Sequence, residues 1–478
     1  MRGMVALVLI VVSLWVLERA RSGVEISATR VGETPVTVLA RPGADGPAVV
    51  IAHGFAGSSP MMQGYALPLA RAGYRVHSFD FLGHGRHPVP MSGDLAAIDG
   101  TTRLLAAQAE KVIDAVGADN VPVALIGHSM ATDILVRVAA GRADIGPVVL
   151  ISAFSREIDA TTPRTLLLVT GQWEPGLRDF AREAVQMVDP AAEPGLTATA
   201  GPVTRRAVVA PWTEHVSVLQ SRAGRRAALD WLDQAYGRSS DAVILPTGHA
   251  IIGLVAGLVL LFGGLARRLP VVPVAAVDLG WRRLLAVTAL PALAAPPLAL
   301  ALPVAALPVL VADYLALHLG IYAAVQIVLL RVWGVRWGGV SLPAILLLGG
   351  ASLLIGVALD RYAANFWPTA ERAAIILVLA LGAVPFFLAD ARLGHAAGRG
   401  RRLLLHGAFL ASLGFGVALD FEGLFFLLMI APVIVLFYLV FGTMGHAASR
   451  RSGPLAPGLV LGLVLAWALG VSFPLFSG

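Results

Sequence analysis

The sequence predicts an α/β domain with a doubly wound, mostly parallel sheet, followed by an all-α region that crosses a membrane several times. Composition is the first observation. Of 478 residues, 57% are hydrophobic and only 14% charged, with a mean hydropathy of +0.77. A soluble domain lies nearer half apolar and about a quarter charged. The second is a division within the chain: most charge precedes residue 240, and long apolar stretches follow it. The third is that the first half alternates short Val/Ile/Leu runs with helical patterns, as a buried parallel sheet requires. These divide the chain into a segment 1–21, a domain 22–240 and a membrane domain 241–478.

The first segment is an apolar run, Met4 to Leu17, behind Arg2. It is short for a span of about 20 residues. Glu18-Arg19-Ala20-Arg21 makes a poor cleavage site, so an uncleaved signal anchor is favoured over a signal peptide. The domain's expected strands are 25–30, 35–40, 47–52, 74–79, 121–126, 146–152, 165–170 and 206–211. Its expected helices lie near 60–72, 98–117, 129–141, 176–188 and 220–236.

About eight spans are expected beyond residue 241: 244–265, 284–302, 304–330, 340–359, 372–389, 403–419, 423–445 and 455–476. Pro291, Pro296, Pro297, Pro303 and Pro308 leave a kink, a turn or a re-entrant segment open for 284–330. If the N-terminus is inside, the inner segments hold Arg2, Arg267, Arg268, Arg282, Arg283, Arg331, Arg336, Arg392, Arg399, Arg401, Arg402, Arg450 and Arg451. The outer loops of the membrane part hold only Arg361 and Arg372. The positive-inside rule then puts 22–240 outside the cytoplasm. The expected location is the inner membrane of a bacterium. Gly356-Val-Ala-Leu-Asp360 recurs as Gly416-Val-Ala-Leu-Asp420, and Gly394-His-Ala-Ala-Gly-Arg399 as Gly445-His-Ala-Ala-Ser-Arg450. This suggests a duplicated hairpin, 340–402 and 403–453. Within the span 304–330, Asp313 and His318 stand out as a membrane polar site. Tyr314, His318 and Tyr322 share one helical face. The alternatives are hydrogen bonding between helices, or a Pro-rich segment that sits shallower than these bounds imply.

The pI near 10.1 does not point to nucleic acid. Lys111 is the only lysine, the arginines of the second half cluster between apolar runs, and basic and aromatic residues do not interleave. With no cysteine there is no disulfide or thiolate chemistry. No phosphate loop ending in Gly-Lys-Ser/Thr occurs and the histidines lack ligand spacing, so no metal or cofactor is expected.

The chemistry is carried by three residues at strand ends. Ser129 lies in Gly127-His128-Ser129-Met130-Ala131, Glu174 follows the run 165–170, and His215 follows 207–210. His53-Gly54-Phe55-Ala56-Gly57-Ser58 follows the third expected strand, and Asp80-Phe-Leu-Gly83-His84-Gly85-Arg86 the fourth. Residues 22–240 resemble an α/β-hydrolase, whose chain order is Ser, then Asp or Glu, then His. The membrane domain resembles no recognised family.

The resemblance implies Ser129 as nucleophile, His215 as base and Glu174 as the acid that orients it. It also implies the Met130 and Phe55 N–H groups as the oxyanion hole, supported by His53, Gly54 and Gly127. Two departures stand: Ala131 where the motif has Gly, and Glu174 where Asp is commoner. Glu157 or Asp159 is a fallback acid. Ser129 as a plain helix N-cap, His215 as a surface histidine and Glu174 as a helix start are the bland alternatives.

Only Ala153 to Arg164 separate the sixth and seventh expected strands, so the family's usual lid is missing there. The membrane domain or the bilayer is expected to cover the site instead. The expected function is hydrolysis of a carboxylic ester, of a lipid or other amphiphile. The outline resembles lipid deacylases that remodel glycolipid anchors. Alternatives are an acyltransferase with the same triad, a peptidase, or a binding or transport protein.

Overall fold

The computed structural model describes residues 1–92, 98–117, 121–193, 195–302, 304 and 307–477. By its contacts the chain forms two compact units. One comprises residues 12–252, 359–365 and 474–478, the other residues 1–11, 253–358 and 366–473.

The first unit holds a nine-stranded sheet. Its strands are β1 (Glu25–Val31), β2 (Thr34–Ala40), β3 (Ala48–Ala52), β4 (Arg75–Phe79), β6 (Val123–His128), β7 (Ile145–Ile151), β8 (Thr165–Gly171), β9 (Thr197–Ala200) and β10 (Val203–Ala210). Their spatial order is β1-β2-β4-β3-β6-β7-β8-β10-β9. From β4 to β10 every neighbouring pair is parallel; β1, β2 and β9 join antiparallel at the edges. The apolar runs explain the centre: all of β3 and β6 is buried. Helices α2 (Gln63–Arg71), α3 (Arg103–Val116), α4 (Met130–Ala140), α5 (Pro175–Gln186) and α6 (Arg222–Ala235) cover the faces. The strand β9 is an addition to the expected set. Its short Thr-Ala-Thr-Ala run hairpins back on β10, and only Ala198 of it is buried.

Two later segments complete this unit. The two-residue strand β5 (Met91–Ser92) pairs in parallel with β11 (Phe476–Ser477). In the segment 359–365, Asp360 pairs with Arg86 at 2.8 Å and the Asn365 N–H donates to Ser58 Oγ at 3.0 Å. Arg361 forms a two-point ion pair with Glu18 at the end of α1 (Arg2–Arg21).

Among the described residues, nine helices are long and apolar enough to cross a membrane. The first is α1, longer than the expected apolar run. The others are α7 (Thr247–Leu265, extended by a 3-10 turn), α8 (Trp281–Leu300), α9 (Ala312–Val332), α10 (Leu342–Tyr362), α11 (Ala370–Gly394), α12 (Arg399–Leu419), the stretch Leu427–Ser452 and α16 (Leu455–Ser472). The short α13 (Phe421–Leu424) precedes that stretch, which divides into α14 (Leu427–Phe437) and α15 (Thr443–Ser452) around a π turn at Tyr438–Gly442.

The proline question resolves into one continuous helix and one turn. Pro291 and Pro296 lie inside α8, where a proline deprives the carbonyl four residues back of its donor. Those carbonyls belong to Val287 and Ala292, and neighbouring helices supply what is missing. Gln326 Nε2 donates to Val287 O at 3.2 Å, and Ser412 Oγ to Ala292 O at 3.0 Å. Before α9, Pro308 lies in a bend and Val311 is left-handed (φ 57°), so the helix begins later than expected. Pro303 lies outside the described residues.

The late start of α9 agrees with the shallower alternative for the membrane polar pair. Asp313 lies in the first turn of α9, not mid-span, and its Oδ2 accepts the Leu307 N–H at 3.0 Å. His318 is fully buried. Its Nδ1 meets Tyr314 Oη and its Nε2 meets Ser412 Oγ, both at 3.1 Å. With Ser412 donating to Ala292 O, His318 donates to Ser412 and accepts from Tyr314, a relay ending on the carbonyl that Pro296 leaves without a donor.

The repeated motifs also diverge in their contacts. Asp360 pairs with Arg86, whereas Asp420 accepts the Gly423 N–H at 2.9 Å. The two Gly-His-Ala-Ala motifs meet where His395 Nδ1 lies 3.0 Å from Ser449 Oγ.

Candidate active site

The parallel strands align their C-terminal ends: Ala52 pairs with Gly127, His128 with Ile151, and Gly171 with Ala210. Loops leaving these ends share one edge of the sheet, where open α/β sheets bind ligands. His53, Ser129, Ser152, Glu174 and His215 all follow such ends.

Ser129 sits between β6 and α4 with φ 52° and ψ −117°. A non-glycine residue there is strained, and such strain concentrates at functional sites. Its side chain makes no N-cap hydrogen bond, so it is not a plain cap. The turn is crowded. A Cβ on Gly127 would come within 2.9 Å of Leu135, and Ala131 is completely buried. Alanine fits where the motif usually has glycine.

Ser129 Oγ lies 2.8 Å from His215 Nε2, and His215 Nδ1 lies 2.6 Å from Glu174 Oε1. A neutral imidazole protonated on Nδ1 donates to the carboxylate and accepts the serine proton on Nε2. Glu174 Oε2 is held by the Gly171 N–H at 2.6 Å and by Ser152 Oγ–H at 2.8 Å. Burial pushes the Glu174 carboxyl up, but these bonds and the one from His215 more than offset it. The group stays below its ordinary value and is a carboxylate at neutral pH. The fallback acids lie elsewhere: Glu157 pairs with Arg137, and Asp159 caps its own turn at Thr161 and Thr162.

The loop 53–58 packs directly on the serine turn. A Cβ on Gly54 would come within 2.9 Å of Ser129 Cβ and His128 Nδ1, so only glycine allows this approach. His53 accepts the Phe81 N–H on Nε2 at 3.1 Å, which leaves Nδ1–H to donate to Gly54 O at 2.7 Å. Burial holds this imidazole below its usual pKa, as a neutral clamp. Asp80 joins the two loops, accepting Ser59 N–H on Oδ1 and Arg86 N–H on Oδ2. Met130 opens α4, where helix geometry leaves the first N–H groups without helical partners. Phe55 follows Gly54 in the adjoining loop.

Two residues have roles that sequence reasoning missed. Ser152 braces Glu174. His128 donates from Nε2 to the carbonyl of His215 at 2.8 Å, holding the base's loop. The position of Ser152, at the very end of a strand, was the only available signal for it; His128 gave none. Among the described residues, no three His, Cys, Asp or Glu side chains gather as a metal site requires.

A sequence profile of the alpha/beta hydrolase fold matches residues 47–216. No curated protein matches the chain. Similar solved structures include a CIB-like hydrolase from Thermoplasma acidophilum, 16% identical, covering 44% of this chain and 98% of its own, with TM-score 0.35. Dienelactone hydrolase from Anabaena variabilis is 19% identical, with coverages of 45% and 99% and TM-score 0.33. The thioesterase domain from the curacin biosynthetic pathway is 17% identical, with coverages of 44% and 99% and TM-score 0.32. The chain carries an α/β-hydrolase domain, a member of that enzyme superfamily, fused to a large apolar multi-helix region.

Proposed function

We propose that this protein is a membrane-bound serine hydrolase that cleaves a carboxylic ester of a lipid or other amphiphile. The observation that carries the reading is the unbroken run from Ser129 Oγ through His215 to the buried Glu174. In the proposed reaction His215 Nε2 takes the hydroxyl proton as Oγ bonds to the ester carbonyl carbon. Charge on the carbonyl oxygen is met by the Met130 and Phe55 N–H groups, each such donor being worth about 3 kcal/mol. Glu174 stabilises the imidazolium. His215 then protonates the departing alkoxide, leaving an acyl-enzyme, and water reverses these steps to release the acid.

The same reading puts the hydrolase domain on the extracytoplasmic side of a bacterial plasma membrane, from the distribution of arginines. The test is fluorophosphonate labelling of the full-length protein in detergent and in bilayers. Wild type should label, and Ser129→Ala and His215→Ala should not. A folded wild type that stays unlabelled in both settings would overturn the serine mechanism.

A further inference from the structure

Three aromatic side chains stand exposed on the loops that carry this site. Phe154, Trp173 and Trp212 are 55%, 58% and 75% accessible in the whole chain, although rings of this size are normally well buried. Each is tied to one member of the Ser-His-Glu run. The Phe154 N–H donates to Thr132 Oγ1 at 3.3 Å, and that hydroxyl donates to Ser129 O at 2.7 Å. Trp173 directly precedes Glu174, and Trp212 lies on the short loop that ends in His215. Val216, just beyond, is 52% exposed, and the His215 side chain itself is 44% accessible.

The two tryptophans are held rather than loose. Gln172 N–H donates to Ala210 O at 2.9 Å, and Trp173 N–H to Thr213 O at 3.0 Å. Trp212 N–H donates to Gln172 Oε1 at 2.9 Å. The rings meet edge to face with centroids 6.5 Å apart. Trp212 has φ 59°, a left-handed conformation costly for a bulky residue, and strain of this kind concentrates at ligand clamps. Backbone strain thus holds an exposed indole on the loop that carries the group that would protonate the leaving alcohol.

We propose that Phe154, Trp173 and Trp212 form a binding rim for the apolar tail of the ester substrate. This rests on the hydrolase reading and assigns its substrate class to side chains. The loop that usually carries a lid is short here, and the rim supplies apolar contact in its place. Rigid aromatic faces bury tail surface with little side-chain entropy to lose.

The test compares p-nitrophenyl octanoate with the acetate in the full-length protein. In Trp173→Ala/Trp212→Ala, the octanoate-to-acetate ratio of kcat/KM should fall at least ten-fold, chiefly through KM. Trp173→Phe/Trp212→Phe should restore most of it. A ratio within two-fold of wild type would overturn the proposal, as would an equal loss on both esters. Binding is read independently in Ser129→Ala, by tryptophan quenching with a bromoalkyl ether amphiphile. Trp173→Phe/Trp212→Phe in that background should remove a measurable part of the quenching, and no difference would overturn the rim. If wild type neither labels with fluorophosphonate nor cleaves an ester, the hydrolase reading fails, and the quenching alone decides whether the rim binds tails.

Discussion

His128 holds the carbonyl of His215 while its own ring is buried, and that combination makes it sensitive to acid. Burial, reinforced by the neighbouring His215, pushes its imidazole down to about 4. Burial also lowers His53, and His77 to about 4. In the unfolded chain these rings titrate near 6.5. Between those values the unfolded state binds more protons, so the stabilisation is complete above about pH 6.5 and is lost as pH falls toward 4. Glu174 adds to the loss lower down: its carboxylate stabilises the fold above the ordinary carboxyl range, and that contribution disappears as pH falls through its lowered value. The thermal unfolding midpoint should therefore be flat above about pH 6.5 and decline below it. His128→Gln, which keeps an amide donor near the Nε2 position without the titration, should decline less steeply. Identical slopes would refute this account. Ser129, Glu174 and His215 were legible because each follows an apolar run in a fixed chain order. His128 and Ser152 were not, because their partners lie 87 and 22 residues away and only the folded register brings them together.

At the scale of elements, the eight principal strands and five helices of the hydrolase domain were legible from apolar runs and helical periodicity. The exceptions have physical reasons. β9 has almost no apolar signal of its own, and β5 and β11 are two-residue strands that exist only as each other's partner. In the membrane part hydropathy located the spans but not the start of α9, which a bend and a left-handed residue set. Hydropathy is also blind to the way α8 tolerates its prolines. Ser412 donates to Ala292 O because Pro296 has no N–H to offer, and this pairing gives a sharp test. Ser412→Ala should destabilise the protein by about 1–3 kcal/mol, the cost of an unsatisfied buried carbonyl. In a Pro296→Ala background, where a backbone N–H returns to the position, the part of that cost due to the Ala292 carbonyl should vanish, leaving only the loss of the acceptor for His318 Nε2–H. A cost that persists unchanged, read from thermal or denaturant unfolding, would show that the serine is not replacing the missing backbone donor.

For the whole molecule, the absence of any cysteine makes orientation directly measurable. Single cysteines can be placed at Ser240, in the hydrolase unit, and at Gly398, between α11 and α12. In intact cells an impermeant maleimide should label Ser240→Cys and spare Gly398→Cys, which should react only after lysis. The reverse pattern would overturn the extracytoplasmic assignment. The division into two units also shows what a linear reading cannot give. Residues 359–365 and 474–478 sit among or beyond the spans in sequence, yet cluster with the hydrolase domain.

The pairing of β5 with β11 sets an order of events during synthesis. Gly83 and Leu475 are joined by a backbone hydrogen bond, Leu475 O accepts the Met91 N–H, and Phe476 lies against Phe55. The ribosome makes the first partners early and the second only after every span of the membrane region. At about 5–20 residues per second, that interval is roughly 20–80 seconds. Throughout it the loops beside Ser129 lack their last strand. The finished arrangement around Phe55 therefore arises only after translation has passed α16.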